Sequence, residues 1–511
     1  MDGDGTSITR RFCAVTHDPQ GCIVDGNLYE PRLVKAEIVQ DVGDLRGGCQ
    51  KARPQTIEVL SNWEGHPASG LTDFYDLFDD VMTKSASSGD VVIYTQVVGP
   101  DTAFSEDLSD YKTEWDGQVR RDGPFSFNTK TGICTFNLEE AAGLWSMVLT
   151  TDTIGGSVDA NTDLVVPMVF GKQDDVSTGI EVLAYATDLG TSSALAFKYG
   201  GGGTYDDPTD VYVGGTSVTA ASPITAAPAD GEWGNFSAAN GTFEINDTSG
   251  VLDGGSAISE SSVVTIKALG IELSGAAPDN AAEVVETILT AAGWTGTLDT
   301  SAQSTWKSDL SGVPALTRLI GVFPMGATTT PVALGKILDE ACGRCLSVFR
   351  QGSNGEWSGF YPTAVGAADH IVYGEDIIGG EVQIMEDPRG DYANEIIAIS
   401  QEVQGTTVET HYSSQTNTPV GSLEGVYSYE SRFRIKGAGY VGRRANLHHQ
   451  TQLWTEAPVS PRIGLDMVAG DDLEYQWLGL KDTLGVGQIR RVRKNLITGA
   501  VRVLAWHGTP A

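Results

Sequence analysis

Six segments between residues 155 and 270 are apolar or β-branched and recur about every ten residues: VVPMVFGK, IEVLAYAT, ALAFKYG, DVYVGGTSV, TFEIND and VVTIKALGIEL. Gly, Asp and Ser fill the gaps. In a strand successive side chains point to opposite faces, so alternation gives each segment one face to bury, and the short polar gaps fit tight turns. A series like this predicts a β-sandwich or β-barrel. The stretch 219–234, TAASPITAAPADGEWG, is rich in small residues and reads as a loop.

A second periodicity follows. In DNAAEVVETILTAAG, Val284, Val285, Ile288 and Leu289 lie on one stripe, and Asp279 or Asn280 stands where a helix cap belongs. PVALGKILDEACGRC repeats the pattern with Pro331 near its first turn and Val332, Leu334, Ile337, Leu338, Ala341 and Cys342 on a broad face. LSVFRQGSNGEWSGFY then reads as strand, Gly-rich turn, strand. Two helices joined by an irregular segment and followed by a hairpin make an α/β insert in a strand-rich chain.

The remaining sequence is mainly β in pattern. Early strands are expected at Cys22 to Val24, Leu33 to Val39 and Thr56 to Leu60, then at VVIYTQVVG, with a hairpin in FSFNTKTGICTFNLE turning at Lys130 to Gly132. Residues 70–90 have helical spacing, and LEEAAGLWSMVL predicts a short closing helix. Later strands are expected at HIVY, GEVQIM, EIIAISQEV and TTVETHY, a polar loop at 413–431, and a final hairpin turning at Asn495 to Gly499. The expected fold class is mainly β with an α/β insert, multi-domain, with barrel or sandwich domains. The expected units are 1–154, 155–270, 271–362 and 363–511.

The 511 residues carry a formal net charge of −34. That argues against a nucleic-acid-gripping surface, which would show a basic stripe. Residues 431–511 reverse the sign, with 12 Lys and Arg against 6 Asp and Glu. Within them the run IRRVRKN, with Arg490, Arg491, Arg493 and Lys494, is a candidate contact with an acidic neighbouring subunit; the plainer reading is an exposed strand edge guarded by charge. No apolar run approaches the roughly 18–20 residues that span a bilayer. The opening MDGDGTSITRRF lacks the layout of a secretory signal, so assembly in a cytoplasm is expected.

No constellation selects a chemistry. CGRC at 342–345 has the spacing of a redox pair or half a zinc site, but its first Cys falls at a helix end, and no second pair follows; buried thiols are the plainer reading. Cys13 and Cys22 are either a local pair or separate thiols. His448 and His449 point apart if on a strand, which suits a surface or strand-edge role. GGGGTYDDPTD at 200–210 offers Asp206, Asp207 and Asp210 to a hard cation, against the plainer reading of a flexible hairpin tip. No G-x-S-x-G occurs, and nothing singles out a carboxylate pair for glycoside hydrolysis. No enzyme activity, cofactor or metal is expected.

Several segments, in order, carry a resemblance. ILDEACGRCLSVF leading into SVFRQGSNGEWSGFYP resembles the tail-tip or baseplate hub proteins of tailed bacteriophages, as do NLYEPRLVKAEI at 27–38, VPMVFGK at 166–172, DVYVGGTSV at 210–218, DYANEIIAISQEV at 391–403 and GQIRRVRKNLITGAVRVLAWH at 487–507. The resemblance implies a virion protein at the tail tip that closes the distal end of the tail tube. It implies a homotrimer, each subunit supplying two barrel-like domains to a ring. Implied neighbours are a distal tail or tube protein, a tape-measure protein inside and a fibre or spike protein below, with DNA passing through without specific binding. Two other readings stand beside it: a receptor- or glycan-binding tail protein, and a distal tail ring protein of sixfold symmetry.

Overall fold

The computed structural model describes residues 11–14, 21–42, 47–50, 55–60, 89–96, 104–120, 125–140, 143–172, 180–188, 194–313, 318–352, 354–361, 367–386, 392–404, 407–417, 425–433, 437–449, 453–476 and 484–508. The helix expected at 70–90 lies outside them.

Five of the six regularly spaced segments, with one further strand, close into a seven-stranded barrel; VVPMVFGK lies outside it, its strand Met168–Gly171 belonging to a separate two-stranded sheet. The barrel strands are Ile180–Asp188, Ala194–Lys198, Asp210–Val213, Thr216–Ala220, Glu232–Ser237, Thr242–Asn246 and Val264–Ala268. Alternation explains the interior. Ile180, Val182, Ala184 and Ala186 point inward on one strand, opposite Ala268, Ile266 and Val264 of its neighbour. Phe197 pairs in register with Phe243, their rings stacked at 5.7 Å, and Trp233 meets Phe243 edge-on at 6.1 Å. Both ends of the expected loop at 219–234 are therefore strand: Thr219 and Ala220 finish one barrel strand and Glu232 begins the next.

Among its described residues the insert has three helices where two were expected. Asn280 caps Ala281–Ala291, its side chain accepting from the Ala282 amide at 2.9 Å. The irregular segment folds as Thr300–Ser311, capped by Asp299. This helix, TSAQSTWKSDLS, escapes sequence reading because only Gln303, Trp306 and Leu310 are buried, too thin a stripe for an apolar period. The third helix, Leu334–Arg344, starts three residues after Pro331 and has no side-chain cap. The hairpin is Val348–Gln351 and Trp357–Phe360, turning through Asn354 and Gly355 at φ +81°. Strand Ile320–Phe323 pairs with Met168–Gly171, which joins the insert to the segment before the barrel.

The largest sheet has 14 strands among the described residues. Its main path runs Gln383–Glu386, Leu453–Val459, Ala500–Trp506, Val486–Asn495, Asn27–Asp41, Gln55–Leu60, Ile133–Glu139, Lys112–Val119, Asp90–Thr95. Residues from 1–154 and from 363–511 thus share one sheet, joined where Asn27–Asp41 pairs with Val486–Asn495. The hairpin Phe125–Asn128 with Ile133–Glu139 turns as expected, Gly132 taking φ +68°. A separate three-stranded sheet holds Glu395–Gln404, Thr407–Thr416 and Val426–Ser431, the last within the expected loop at 413–431.

Two helix expectations change. Described residues 143–149 of LEEAAGLWSMVL form turns and a bridge from Val148 to Ala333, with no helix among them. Helix Gly437–His448 stands where no helix was expected. Tyr440, Val441, Arg444, Ala445 and His448 give it a buried face at helical spacing, but GAGYVG lowers its intrinsic preference and the face includes two charged or polar residues. The molecule is mainly β, with a closed barrel, several sheets and an α/β insert. No helix among the described residues is long and apolar enough to cross a membrane.

Candidate functional site

Strand Val486–Asn495, which carries the basic run, is interior rather than an edge. It pairs with Ala500–Trp506 on one side and with Asn27–Asp41 and Asp472–Gln476 on the other. Alternation then divides its cations. Arg490 is enclosed, Nη1 donating to Gln488 Oε1 at 2.7 Å, with its guanidinium 5.7 Å from the Trp506 ring. Arg491 lies nearer the surface and pairs with Asp41 at 2.8 Å; Arg493, the most exposed of the four, pairs with Glu37.

Lys494 is completely buried and so is its partner, Glu114, whose Oε2 is 2.8 Å from Lys494 Nζ. Nζ also donates to the Leu465 carbonyl at 2.6 Å. Glu114 Oε1 accepts from Thr95 Oγ1 at 3.2 Å, and Lys112 donates to the carbonyls of Leu465 and Asp466 at 3.0 and 3.1 Å. Burial pulls the Lys494 pKa down, and the Glu114 charge works against that pull. Three distant stretches, at 95–114, 465–466 and 494, are thereby welded together. Arg490 and Lys494 are interior to the chain; Arg491 and Arg493 remain at its surface. No local pattern in the sequence marks Glu114, because its partner lies 380 residues away.

A second buried cationic cluster joins helix Leu334–Arg344 to the sheet and helix beyond it. The Arg344 guanidinium lies 4.4 Å from the Tyr440 ring, and that of Arg444 lies 4.3 Å from the Tyr429 ring. Arg444 Nη1 donates to the Tyr427 hydroxyl at 3.3 Å, and the Tyr429 hydroxyl donates to the Glu340 carbonyl at 2.7 Å. Aromatic faces and hydroxyl groups there help to replace the water that buried guanidinium groups lose.

The other sequence candidates resolve as structural. Cys342 and Cys345 are buried at the end of their helix; burial raises both thiols, Cys345 to about 11, so the nucleophilic thiolate is suppressed. Cys13 and Cys22 both meet Tyr29: Cys13 Sγ donates to its carbonyl at 3.3 Å, and Cys22 opposes it in register. They form no disulfide. His448 and His449 end a helix and are buried, not on a strand edge; the His448 ring stacks on Tyr427 at 4.9 Å, and His449 Nδ1 is 2.9 Å from the Ala393 carbonyl.

The glycine run is no loose tip. The buried Tyr205 hydroxyl both donates to the Gly201 carbonyl and accepts from its amide, at 2.8 and 3.0 Å. A Cβ on Gly200 would come within 2.5 Å of the Tyr205 ring, so glycine is needed for the close approach. Asp206 accepts from the Ala277 amide at 3.0 Å, and Asp210 faces Lys267 at 3.9 Å. Among the described residues no group of three or more His, Cys, Asp or Glu side chains is placed to hold a metal ion. Trp115, Trp233, Trp306, Trp357, Trp454 and Trp506 are all buried, which removes them from any exposed aromatic groove.

His507 supplies a pH dependence. It packs on Tyr475 with ring centroids 5.9 Å apart, its Nε2 is 3.0 Å from Thr455 Oγ1, and burial lowers its pKa to about 4. The unfolded chain takes up this proton near pH 6.5 and the folded chain only near pH 4, so stability falls as pH falls through that window. The loss approaches roughly 3 kcal/mol by its lower end. Urea unfolding at pH 7 and pH 4.5 should show His507→Gln losing less stability on acidification than the unsubstituted chain; equal losses contradict this assignment.

Both ends of the large sheet's main path are open among the described residues. Asp90–Thr95 pairs only with Lys112–Val119, and Gln383–Glu386 only with Leu453–Val459. Each carries exposed apolar side chains, Val92 and Tyr94 on one and Ile384 on the other. An unpaired edge of this kind presents free donors and acceptors to another strand.

No protein-family model and no curated protein matches the sequence. Solved structures do. The chain is similar to a component of the virion of a native gene transfer agent particle, at 13% identity over 70% of this chain and 88% of that one, with a TM-score of 0.44. It is similar to the 43 kDa tail protein of prophage MuSo2 from Shewanella oneidensis, at 10% identity over 68% and 98% of the two chains, TM-score 0.29. It is also similar to a tail protein from Neisseria meningitidis MC58, at 10% identity over 67% and 96%, TM-score 0.24.

Proposed function

We propose that this chain is a structural component of a phage-type virion tail, acting as a hub at the tail tip. Copies join through the open ends of the large sheet into a homotrimeric ring around a passage. The barrel and the large sheet give each subunit two wall segments, so three subunits present six faces to a tube. The expected sequence units 1–154, 155–270, 271–362 and 363–511 are retained as assembly units in this reading, with the first and last sharing a sheet. Arg491 and Arg493 supply the outward cations of an intersubunit contact. The neighbours are a distal tail or tube protein, a tape-measure protein and a fibre or spike protein. A net charge of −34 lets DNA slide past the wall without adhering.

The observation that carries the reading is the sheet with two one-sided ends, each bearing apolar side chains. A closed ring of copies satisfies both at once, whereas a single copy satisfies neither. The order of hub-like segments along the chain supports the same reading. Native mass measurement of the purified protein tests it. Three copies are expected; six favour the distal tail ring, and a single copy at every concentration overturns the proposal.

A further inference from the structure

Strand His370–Tyr373 is a side branch of the large sheet, paired in parallel with Asp472–Gln476 and with no other strand among the described residues. Val372 faces the core, while Ile371 and Tyr373 are 41% and 48% exposed and Ile378, just beyond, is 51% exposed. Three of the ten large apolar side chains exposed among the described residues fall in these eight positions. Chance scatter along so long a chain does not give that concentration.

The same surface is predominantly acidic. Residues 367–381 contain no Lys or Arg. Asp369, Glu375 and Glu381 are exposed on it, and Asp471, Asp472 and Glu474 line the neighbouring strand. Three bases face the group. Arg462 holds Asp376 at 3.0 Å, His370 Nε2 is 2.8 Å from Asp471, and the Arg350 charge acts on Asp471. Asp369 and Glu375 flank the strand along the chain, and register sets Glu474 beside Ile371.

We propose that this edge docks an extended, basic segment of another protein, which adds as a strand beside His370–Tyr373. Main-chain hydrogen bonds from the open edge give the pairing, and Glu474, in register with Ile371, shares the outward face with Ile371 and Tyr373, so apolar residues and Lys or Arg of the added strand both take its outward, alternate positions. A second copy of this chain, acidic overall, fits less well. Strand His370–Tyr373 is neither of the two ends of the sheet's main path, so the inference stands whether three copies or another number assemble.

The probe is a nine-residue peptide with Lys and Val taking turns at its odd positions and Thr at the even ones, blocked at both ends, titrated against the full chain by fluorescence anisotropy. Two control peptides replace Lys with Glu or methylate the backbone nitrogens that would face the edge. Binding of the Lys peptide is expected to weaken about tenfold or more with either control and with I371S/Y373S, and to stay unchanged with V251S, an exposed site elsewhere. Equal binding of the methylated peptide means attraction by charge alone and overturns the proposal. So does binding unaffected by I371S/Y373S, or a double variant that changes the subunit count while the peptide never binds.

Discussion

Lys494→Met alone should destabilise the folded chain by about 3–5 kcal/mol, because it leaves the Glu114 carboxylate buried without its ammonium partner. Glu114→Leu alone should cost a similar amount, leaving the Lys494 charge with the Leu465 carbonyl and the weaker pull of Asp466. The double variant Glu114→Leu with Lys494→Met should cost far less than the two losses added, since two apolar side chains of similar volume require no solvation. Lys112 still serves the Leu465 carbonyl at 3.0 Å. Urea unfolding of the four chains gives the coupling directly, expected at about 2 kcal/mol or more. Additive losses, or single losses below about 1 kcal/mol, place this pair in water rather than in the interior.

Trp233→Ala should cost about 3–5 kcal/mol. The indole is fully buried in the barrel, edge-on to Phe243, and Phe243 in turn stacks on Phe197. A closed barrel cannot slide one strand inward to fill the gap, so the cavity persists and adds to the lost transfer energy. Thermal unfolding checks it: a melting temperature within a degree or two of the unsubstituted chain argues against an enclosed barrel core. The same core continues into the insert through Val284, Ile288 and Leu334, so the loss should appear in one cooperative transition.

These two predictions mark what the sequence could and could not show. Six of the seven barrel strands were legible because alternation such as Ile180, Val182, Ala184 and the glycine turns are local signals; Glu232–Ser237, which starts in a stretch read as loop, was not. Asn280 as a cap and Gly132 and Gly355 as turn residues were legible for the same reason. Helix Thr300–Ser311 was not, because it buries only three side chains. The buried side of Val486–Asn495 was hidden for a different reason. A run of four cations reads as surface until the chain supplies Glu114, Asp41 and Glu37 from hundreds of positions away. Long-range pairing of this kind leaves no trace in composition or spacing, and it decided which cations stayed at the surface.

The account rests on copies joining through the ends of one sheet. Hydrogen exchange on single copies and on assembled particles, separated by size, measures this most directly at Asp90–Thr95 and Gln383–Glu386. Their outward amides should exchange rapidly in the single copy and slow by about a hundredfold or more on assembly, as new main-chain hydrogen bonds form. Equal exchange in both forms at both strands, with assembled particles present, would contradict the account.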